Sequence, residues 1–220
     1  MSELYIQRKA VWTEPHINDA EALASLKAEF PGRSARRMTR LGMQLSHVLR
    51  QLEICTDYSL VYATTYSETC TIEKFLDSFP YPSPQAFQTS IHPGGVEQFL
   101  IQNKQSITEF FPLAGMDDLL LRALDTVLLC SGQKMILCGG EERGTWLADD
   151  GVSSERNYAW ALELQRAPSP ESIGRISWQG LAAAAGDPSL LTDFVTALQT
   201  QSTYIFHAPE GGQLELSWSV

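Results

Sequence analysis

Positive charge is scarce in this sequence of 220 residues: 16 Lys and Arg stand against 26 Asp and Glu, a formal net charge of −10. Binding to nucleic acid depends on clustered Lys and Arg, so nucleic acid is disfavoured as a main partner, and so is an anionic membrane surface. The one notable basic group is Arg33, Arg36, Arg37 and Arg40. It either docks an acidic partner or forms a solvated helix face balanced by nearby acids.

Paired cysteines and long apolar runs are also missing. Cys55, Cys70, Cys130 and Cys138 form no C-x-x-C pair, which predicts reduced, mostly buried thiols in an intracellular protein. The stretch "MSELYIQRKAVWTEP" has no apolar segment long enough for a signal peptide. No stretch approaches the ~20 apolar residues that span a bilayer. These absences predict a soluble, cytoplasmic protein.

The common motifs for cofactors and metals are absent as well. The sequence contains no G-x-G-x-x-G, G-x-x-x-x-G-K, H-E-x-x-H or calcium-type loop, so no cofactor or metal is predicted. Gly94-Gly95 and Gly139-Gly140 are isolated doublets and weak signals for phosphate binding. The pair Glu141-Glu142 is consistent with acid–base chemistry, but an exposed charged turn is the commoner meaning.

Candidates for nucleophilic catalysis are few. Of the four histidines, only His92 lies at a predicted strand-to-helix junction, beside Ser90. One hypothesis is a small acyltransferase or thioesterase that uses Ser90 or Cys70 as nucleophile with His92 as base. The other is that His92 is a hydrogen-bonded residue that fixes the junction. No G-x-S-x-G elbow supports the enzyme.

What the sequence does contain is an alternation of helix and strand patterns. Helices are predicted over 18–29, with Asn18 as N-cap, and over 35–53, 68–79, "PGGVEQFLIQN", 116–131 and 188–200. Strands are predicted over 59–65, 106–111, "KMILC", 157–165, "TYIFHA" and "LELSWSV". The segment "AFQTSIH" is predicted to be extended. The apolar side of helix 68–79 would be Ile72, Phe75, Leu76 and Phe79. Helix 116–131 is apolar on almost every face, which predicts burial on all sides. The alternation predicts a single α/β domain.

One turn in this pattern is unexpected. The stretch "FFPLAGMDD" joins the strand "SITEFF" to the apolar helix, a layout that many enzymes use to present a reactive side chain. Yet the predicted turn holds Pro112, Leu113, Ala114, Gly115 and Met116, and none of these side chains is a nucleophile.

Three stretches resemble the β-ketoacyl synthase-like N-terminal domain family. They are "SARRMTRLGMQLSHVL", "SPQAFQTSIHPGGVEQFLIQN" and "ALDTVLLCSGQKMILCGGEE", and together they span about residues 33–145. The resemblance implies a truncated, N-terminal half of a thiolase-like α/β/α fold with a mixed sheet and a buried central helix. It also implies one ketosynthase-like domain over residues 1–220, in which the strands and helix of 150–220 close the sheet.

The same resemblance implies a lost active site. In catalytic members of the family, the nucleophilic cysteine lies on the turn between the "SITEFF"-like strand and the buried helix, and counting back from Gly139 puts that position at or next to Ala114. The two catalytic histidines of the family lie in a C-terminal half without a counterpart here. Pro93 replaces the asparagine of a His-Asn pair. The resemblance therefore implies a subunit that does not catalyse condensation.

Within the family, the chain resembles the short chain-length-factor subunits of aryl-polyene type II polyketide pathways. This implies a heterodimer with a full-length, active β-ketoacyl synthase, whose acyl tunnel the chain would shape, and an acyl carrier protein that is reached mainly through that mate. The implied dimer interface is the strand residues Ser106, Ile107, Thr108, Glu109 and Phe110. The implied tunnel-gating residues are Tyr66 and Phe87. A homodimeric acyl-binding scaffold is a further hypothesis, and it stays open whether the arginine cluster docks the carrier protein.

Overall fold

A computed structural model describes residues 1–16, 19–54, 57–180, 189–208 and 211–219, and in these residues one mixed sheet of eight strands has the order β3-β2-β4-β5-β1-β6-β8-β7. The strands are β1 (Ser2–Thr13), β2 (Tyr58–Thr64), β3 (Ile107–Ala114), β4 (Met135–Glu141), β5 (Tyr158–Gln165), β6 (Gly174–Gln179), β7 (Tyr204–His207) and β8 (Gln213–Trp218). The strands β3, β2 and β4 are parallel to one another. The pairs from β4-β5 to β8-β7 are antiparallel.

Helices cover both faces of this sheet. They are α1 (Ala20–Ala28), α2 (Gly32–Ala35), α3 (Arg40–Gln51), α4 (Thr69–Leu76), α5 (Pro84–Ser90), α6 (Gly94–Asn103), α7 (Leu119–Leu129), α8 (Trp146–Asp149) and α9 (Leu190–Thr200). Leucines of α3 and Val96 of α6 share a core with Leu60 and Tyr62 of β2, whereas α7 and α9 share the opposite core with Val61 of that strand. The predicted α/β/α layering with a mixed sheet is confirmed.

The central strands are buried on both sides of the sheet. All residues of β2 and β4 are buried, as expected for parallel strands between two helix layers, which carry continuous apolar runs. The predicted strands 59–65 and "KMILC" are therefore correct. β4 extends to Glu141, however, so Gly139 and Gly140 lie in the strand, beyond the end of the predicted segment "KMILC".

The N-terminal strand was not predicted. β1 pairs antiparallel with β5 on one side and with β6 on the other, and Leu4 and Ile6 are fully buried. Polar residues such as Gln7, Arg8 and Lys9 interrupt the apolar pattern, so the segment "SELYIQRKAVWT" has only a weak strand signal. The predicted N-cap Asn18 lies outside the described residues; the side chain of Asp19 accepts from the backbone N–H groups of Glu21 and Ala22.

Two predicted elements differ in the region that follows β2. The segment "AFQTSIH" is not extended, because Ser83 caps a helix through the N–H of Ala86 and Pro84 occupies its first turn. α4 is helical as predicted but faces the other way: Thr69, Thr71 and Glu73 are buried, whereas Leu76 and Phe79 are exposed. The predicted orientation of α4 was wrong because it assumed that the apolar side of the helix packs against the core of the same chain.

The apolar helix α7 is not buried on all sides in this chain. Six of its residues are buried, but Leu129 is 82% exposed and Arg122 is also exposed. The C-terminal hairpin of β7 and β8 extends the sheet edge, since β8 pairs with β6. In the part of the chain that the structure describes, no helix is long and apolar enough to cross a bilayer.

Candidate functional site

A cavity lies where the parallel strands end. β2, β3 and β4 run in the same direction, so the residues that follow them meet at one edge of the sheet, the usual position of a ligand site in α/β folds. The cavity has a volume of about 960 Å³, within the size range of small-molecule pockets. Its lining includes Thr65, Tyr66, Met116, Asp117, Glu141, Arg143, Glu155, Arg156, Tyr158, Leu191 and Asp193.

Glu141, at the end of β4, organises one wall of this cavity. Its buried carboxylate accepts the backbone N–H groups of Thr65 (2.5 Å), Tyr66 (2.8 Å) and Ser67 (2.9 Å), and the hydroxyl of Thr64 also donates to it (3.0 Å). Burial raises the pKa of Glu141 to about 7, although these donors act in the opposite direction. The loop that carries Tyr66 is therefore held by one carboxylate.

Glu142 has a similar role on the other side of the sheet. One carboxylate oxygen accepts the N–H of Leu41 in α3 (2.8 Å) and the other accepts the N–H of Cys70 in α4 (2.9 Å). The side chain thus joins the first turns of two helices, where unpaired N–H groups and the helix dipoles favour an anion. The prediction that Glu141-Glu142 forms an exposed charged turn is wrong, because both side chains are buried and both are used to fix loops and helix ends.

A third carboxylate, Glu68, is buried next to Glu142. Burial is the main cause that raises the pKa of Glu68 to about 8, and the negative charge of Glu142 adds to the effect. The hydroxyl of Ser67 donates to its carboxylate. Glu68 and Glu142 repel each other when both are charged, so this region favours a proton on Glu68.

The protonation of Glu68 predicts a specific pH dependence. Since its folded-state pKa lies above 4.5, the folded chain retains a proton that the unfolded chain loses between about pH 4.5 and 8, and the free energy of unfolding falls as the pH rises through this window. We expect Glu68→Gln, which mimics the protonated form, to make urea unfolding less dependent on pH. At pH 8 the variant should be more stable than wild type by on the order of 1–3 kcal/mol, with little difference near pH 4.5.

The control for this prediction is Glu97→Gln on the exposed side of α6. It removes the same charge from the surface and should leave the pH profile unchanged. A Glu68→Gln profile that is parallel to wild type from pH 5 to 8 would contradict the assignment.

The turn after β3 has the predicted strand–turn–helix layout with one shift. β3 continues to Ala114, so Pro112, Leu113 and Ala114 pair with β2, and the turn is 115–118. Ala114 is the exposed last residue of the strand and Met116, which lines the cavity, is also exposed. The position assigned to the lost nucleophile thus lies two residues before the cavity-lining Met116 and carries a methyl group.

The structure does not assemble the nucleophile–base pair of the enzyme hypothesis. The hydroxyl of Ser90 donates to the carbonyl of Phe87 (2.8 Å), and the thiol of Cys70 donates to that of Arg143 (3.1 Å). His92 stacks on Tyr62 with ring centroids 5.1 Å apart, and neither ring nitrogen has a hydrogen-bond partner among the described residues. Burial raises the pKa of Cys70 to about 12, which opposes thiolate formation.

The two predicted gating residues lie in different places. Tyr66 lines the cavity, whereas Phe87 belongs to α5 and packs in an aromatic group with Phe75 (centroids 5.3 Å apart), which in turn contacts Phe79 (5.5 Å). Phe79 and Phe87 are 57% and 50% exposed, and the neighbouring Tyr81 is 87% exposed. We call Phe75, Leu76, Phe79, Tyr81 and Phe87 the α4–α5 surface. Contiguous exposed apolar side chains of this kind mark interaction sites.

The predicted interface strand is an edge strand. Within the described residues β3 pairs with β2 alone, so its other edge presents unpaired backbone groups. Its bounds exclude Ser106, since the strand begins at Ile107. An open edge of eight residues is an aggregation hazard unless another chain covers it.

No protein-family model and no curated protein matches this chain. Among solved structures, it is similar to the ketosynthase ApeO in complex with its chain length factor ApeC from Xenorhabdus doucetiae, with a TM-score of 0.69 and 16% identity over 99% of this chain and 100% of that chain. The ishigamide ketosynthase/chain length factor matches with a TM-score of 0.63 and 10% identity, over 100% of both chains. A β-ketoacyl synthase from Burkholderia phymatum STM815 matches with a TM-score of 0.54 and 12% identity, over 91% of this chain and 70% of that chain.

The chain has a ketosynthase-like fold. At these identities the likeness concerns the fold alone, and it confirms at that level the resemblance to ketosynthases and chain length factors that the three sequence stretches predicted. The first two matched chains are covered over their whole length, so the size of the ketosynthase-like chain corresponds to theirs.

The sequence analysis missed the buried role of Glu141 and Glu142. The uninterrupted apolar run that leads into them was a signal that could have indicated their burial.

Proposed function

We propose that this chain is a non-catalytic, chain-length-factor-like subunit that binds an active β-ketoacyl synthase and shapes its acyl tunnel in aryl-polyene biosynthesis. The observation that carries the proposal is the end of β3 and the turn that follows it, which have the layout of a condensing enzyme's nucleophile turn but carry Ala114, Gly115 and Met116. A subunit that lacks the nucleophile contributes to the reaction by binding a catalytically active synthase. The full-length match to chains from ketosynthase–chain length factor structures supports this.

The open edge of β3 supports the mode of binding. In the proposed heterodimer, Ile107–Phe110, with Ser106 just before the strand, pairs antiparallel with the equivalent strand of the synthase, which satisfies the free backbone groups. The α4–α5 surface belongs to the connection between β2 and β3 and adds exposed aromatic side chains. Together they suit an obligate interface on the order of 2,000 Å² or more. The acyl carrier protein would be recognised mainly by the mate.

The proposed tunnel residues are Tyr66 and Phe87. Tyr66 lines the cavity and its loop is fixed by Glu141, whereas Phe87 projects from the α4–α5 surface, where a partner would cover it. Aromatic side chains suit a flat polyene. Their bulk would limit how far the acyl chain extends, because a close-packed wall excludes further methylenes.

The decisive experiment is co-expression with the neighbouring full-length condensing enzyme, followed by size-exclusion chromatography and product analysis. The proposal expects a 1:1 complex and products that depend on this chain. A stable monomer that leaves the products of the synthase unchanged would refute it. A dimer of the chain alone that does not bind the synthase would favour the homodimeric scaffold.

Tyr66→Ala in the co-expressed complex should lengthen the polyene products, because removal of the ring opens space at the cavity wall. The yield of complex should stay within about twofold of wild type, since a substitution away from the interface core has a small effect on assembly. Mass spectrometry of extracted products measures the change. Tyr204→Ala, on the edge strand β7, is the matched control and should give wild-type products. An unchanged range of product lengths for Tyr66→Ala would show that Tyr66 does not limit the length of the tunnel.

A further test addresses the enzyme hypothesis. Cys70→Ala and Ser90→Ala should each leave product formation by the complex within about twofold of wild type, because among the described residues neither side chain forms a hydrogen bond with His92. Rates of acyl turnover by the complex provide the measurement. A decrease of 100-fold or more in the turnover rate of either variant, as expected for loss of a nucleophile, would support the acyltransferase or thioesterase hypothesis.

A further inference from the structure

A second cavity, with a volume of about 840 Å³, lies between residues 23–43 and the helices α4 and α5. We call it the basic groove because five cations line it: Lys27, Arg36, Arg37, Arg40 and Lys74. They come from three separate segments, and only the fold brings Lys27 and Lys74 to the arginine cluster. In a chain with a net charge of −10, this concentration of positive charge is unexpected.

The acids that face the basic groove do not neutralise it. They are Glu73, Asp77 and Glu142. Glu73 is buried and accepts the N–H groups of Thr145 (2.6 Å) and Leu147 (3.0 Å). Glu142 is likewise buried and holds the first turns of α3 and α4. Asp77 is the one exposed carboxylate of this lining, so the surface open to a ligand is mainly positive.

The five cations line one groove from two sides. Arg40 in α3 and Lys74 in α4 both lie close enough to Glu142 to lower its pKa. None of the five cations forms an ion pair with a carboxylate of the described residues. Unpaired guanidinium groups on a concave surface are suited to bind phosphate oxygens in a bidentate manner.

We propose that the basic groove binds a small ligand through a phosphate or pyrophosphate group. A volume of about 840 Å³ lies in the range of small-molecule pockets and favours a small phosphorylated compound over the broad, flat contact of an acidic protein. The 23–43 wall supplies one Lys and three Arg, the α4 wall supplies Lys74, and Thr39, the N-cap residue of α3, also lines the groove. This site is separate from the cavity with Tyr66, since the two linings share no residue.

The test is calorimetric titration of the full chain with inorganic pyrophosphate, and with inorganic phosphate for comparison, at low ionic strength and at 150 mM salt. We expect saturable 1:1 binding of pyrophosphate that weakens with salt. The double variant Arg36→Ala/Arg37→Ala should weaken it by about tenfold or more, as expected when charge-assisted hydrogen bonds are lost. The control Lys134→Ala/Arg175→Ala removes one exposed and one half-exposed cation elsewhere and should leave the affinity within about twofold of wild type.

Two outcomes would overturn the proposal. One is the absence of saturable pyrophosphate binding to the wild-type chain, including the case in which an acidic protein binds instead. The other is an equal loss of affinity in both double variants, which would show a general charge effect. Neither depends on the synthase, so a failure here leaves the proposed heterodimer standing, and a failure of the heterodimer leaves the basic groove untouched.

Discussion

The double variant Phe79→Glu/Phe87→Glu is expected to abolish the complex with the β-ketoacyl synthase while the chain itself remains folded. Both rings are half exposed, so glutamate is tolerated in the free chain. In the proposed interface each carboxylate would be buried without a partner, and the loss of an aromatic anchor costs about 2 kcal/mol or more. Two such changes should raise the dissociation constant by at least about 100-fold. Co-purification and analytical ultracentrifugation would measure the loss.

The matched control for this variant is Ile205→Glu on β7. Ile205 is 49% exposed and lies on the strand at the opposite end of the sheet from β3. It should leave the complex intact. If Phe79→Glu/Phe87→Glu co-purifies as well as wild type, the α4–α5 surface is not part of the interface, and the open edge of β3 alone would have to account for binding.

The largest loss of stability is expected from Glu141→Ala. The substitution leaves the backbone N–H groups of Thr65 and Tyr66 without their acceptor. The N–H of Ser67 loses Glu141 but still donates to the hydroxyl of Thr64, and that hydroxyl still donates to the carbonyl of Gly140. Buried groups that lose a charged partner cost about 1–3 kcal/mol each, although water that enters from the adjacent cavity would offset part of this. We therefore expect a decrease of about 3–5 kcal/mol in the free energy of unfolding, measured by urea titration at pH 7.

Two further variants locate the cause of that decrease. Glu155→Ala removes an exposed carboxylate from the same cavity and should change stability by less than about 0.5 kcal/mol. Glu141→Gln retains one carbonyl oxygen as acceptor and should fall between Glu141→Ala and wild type. If Glu141→Ala were as stable as Glu155→Ala, the loop would not depend on this carboxylate.

The parts of the fold that the sequence predicted are those in which local pattern and tertiary environment agree. The strands β2 and β4 are continuous apolar runs that require two covering layers, and α3, which lies within the predicted helix 35–53, buries Leu41, Leu45 and Leu49. The strand–turn–helix around Ala114 follows from a strand pattern next to an apolar helix. These elements could be predicted because each buries its apolar residues within its own chain.

The failures have the opposite cause. α4 turns Thr71 and Glu73 inward because Glu73 satisfies N–H groups of residues 145 and 147, more than seventy positions away in the chain, and no local pattern carries that information. Glu141 and Glu142 follow the same logic, since their partners are backbone groups of distant loops. The open question of the arginine cluster belongs here too, because only the folded chain shows that Lys27 and Lys74 join it.

The position of β1 has a consequence for synthesis of the protein on the ribosome. β1 leaves the exit tunnel before the other strands of the sheet, yet its hydrogen-bonding neighbours are β5 and β6, which end at Gln165 and Gln179. Its backbone groups must remain without native partners until about three quarters of the chain has emerged, and such non-local pairing is slow and exposed to misassembly. Nascent chains that stall before residue 158 should therefore be substrates for chaperones, and removal of the first ten residues would split the sheet at its middle.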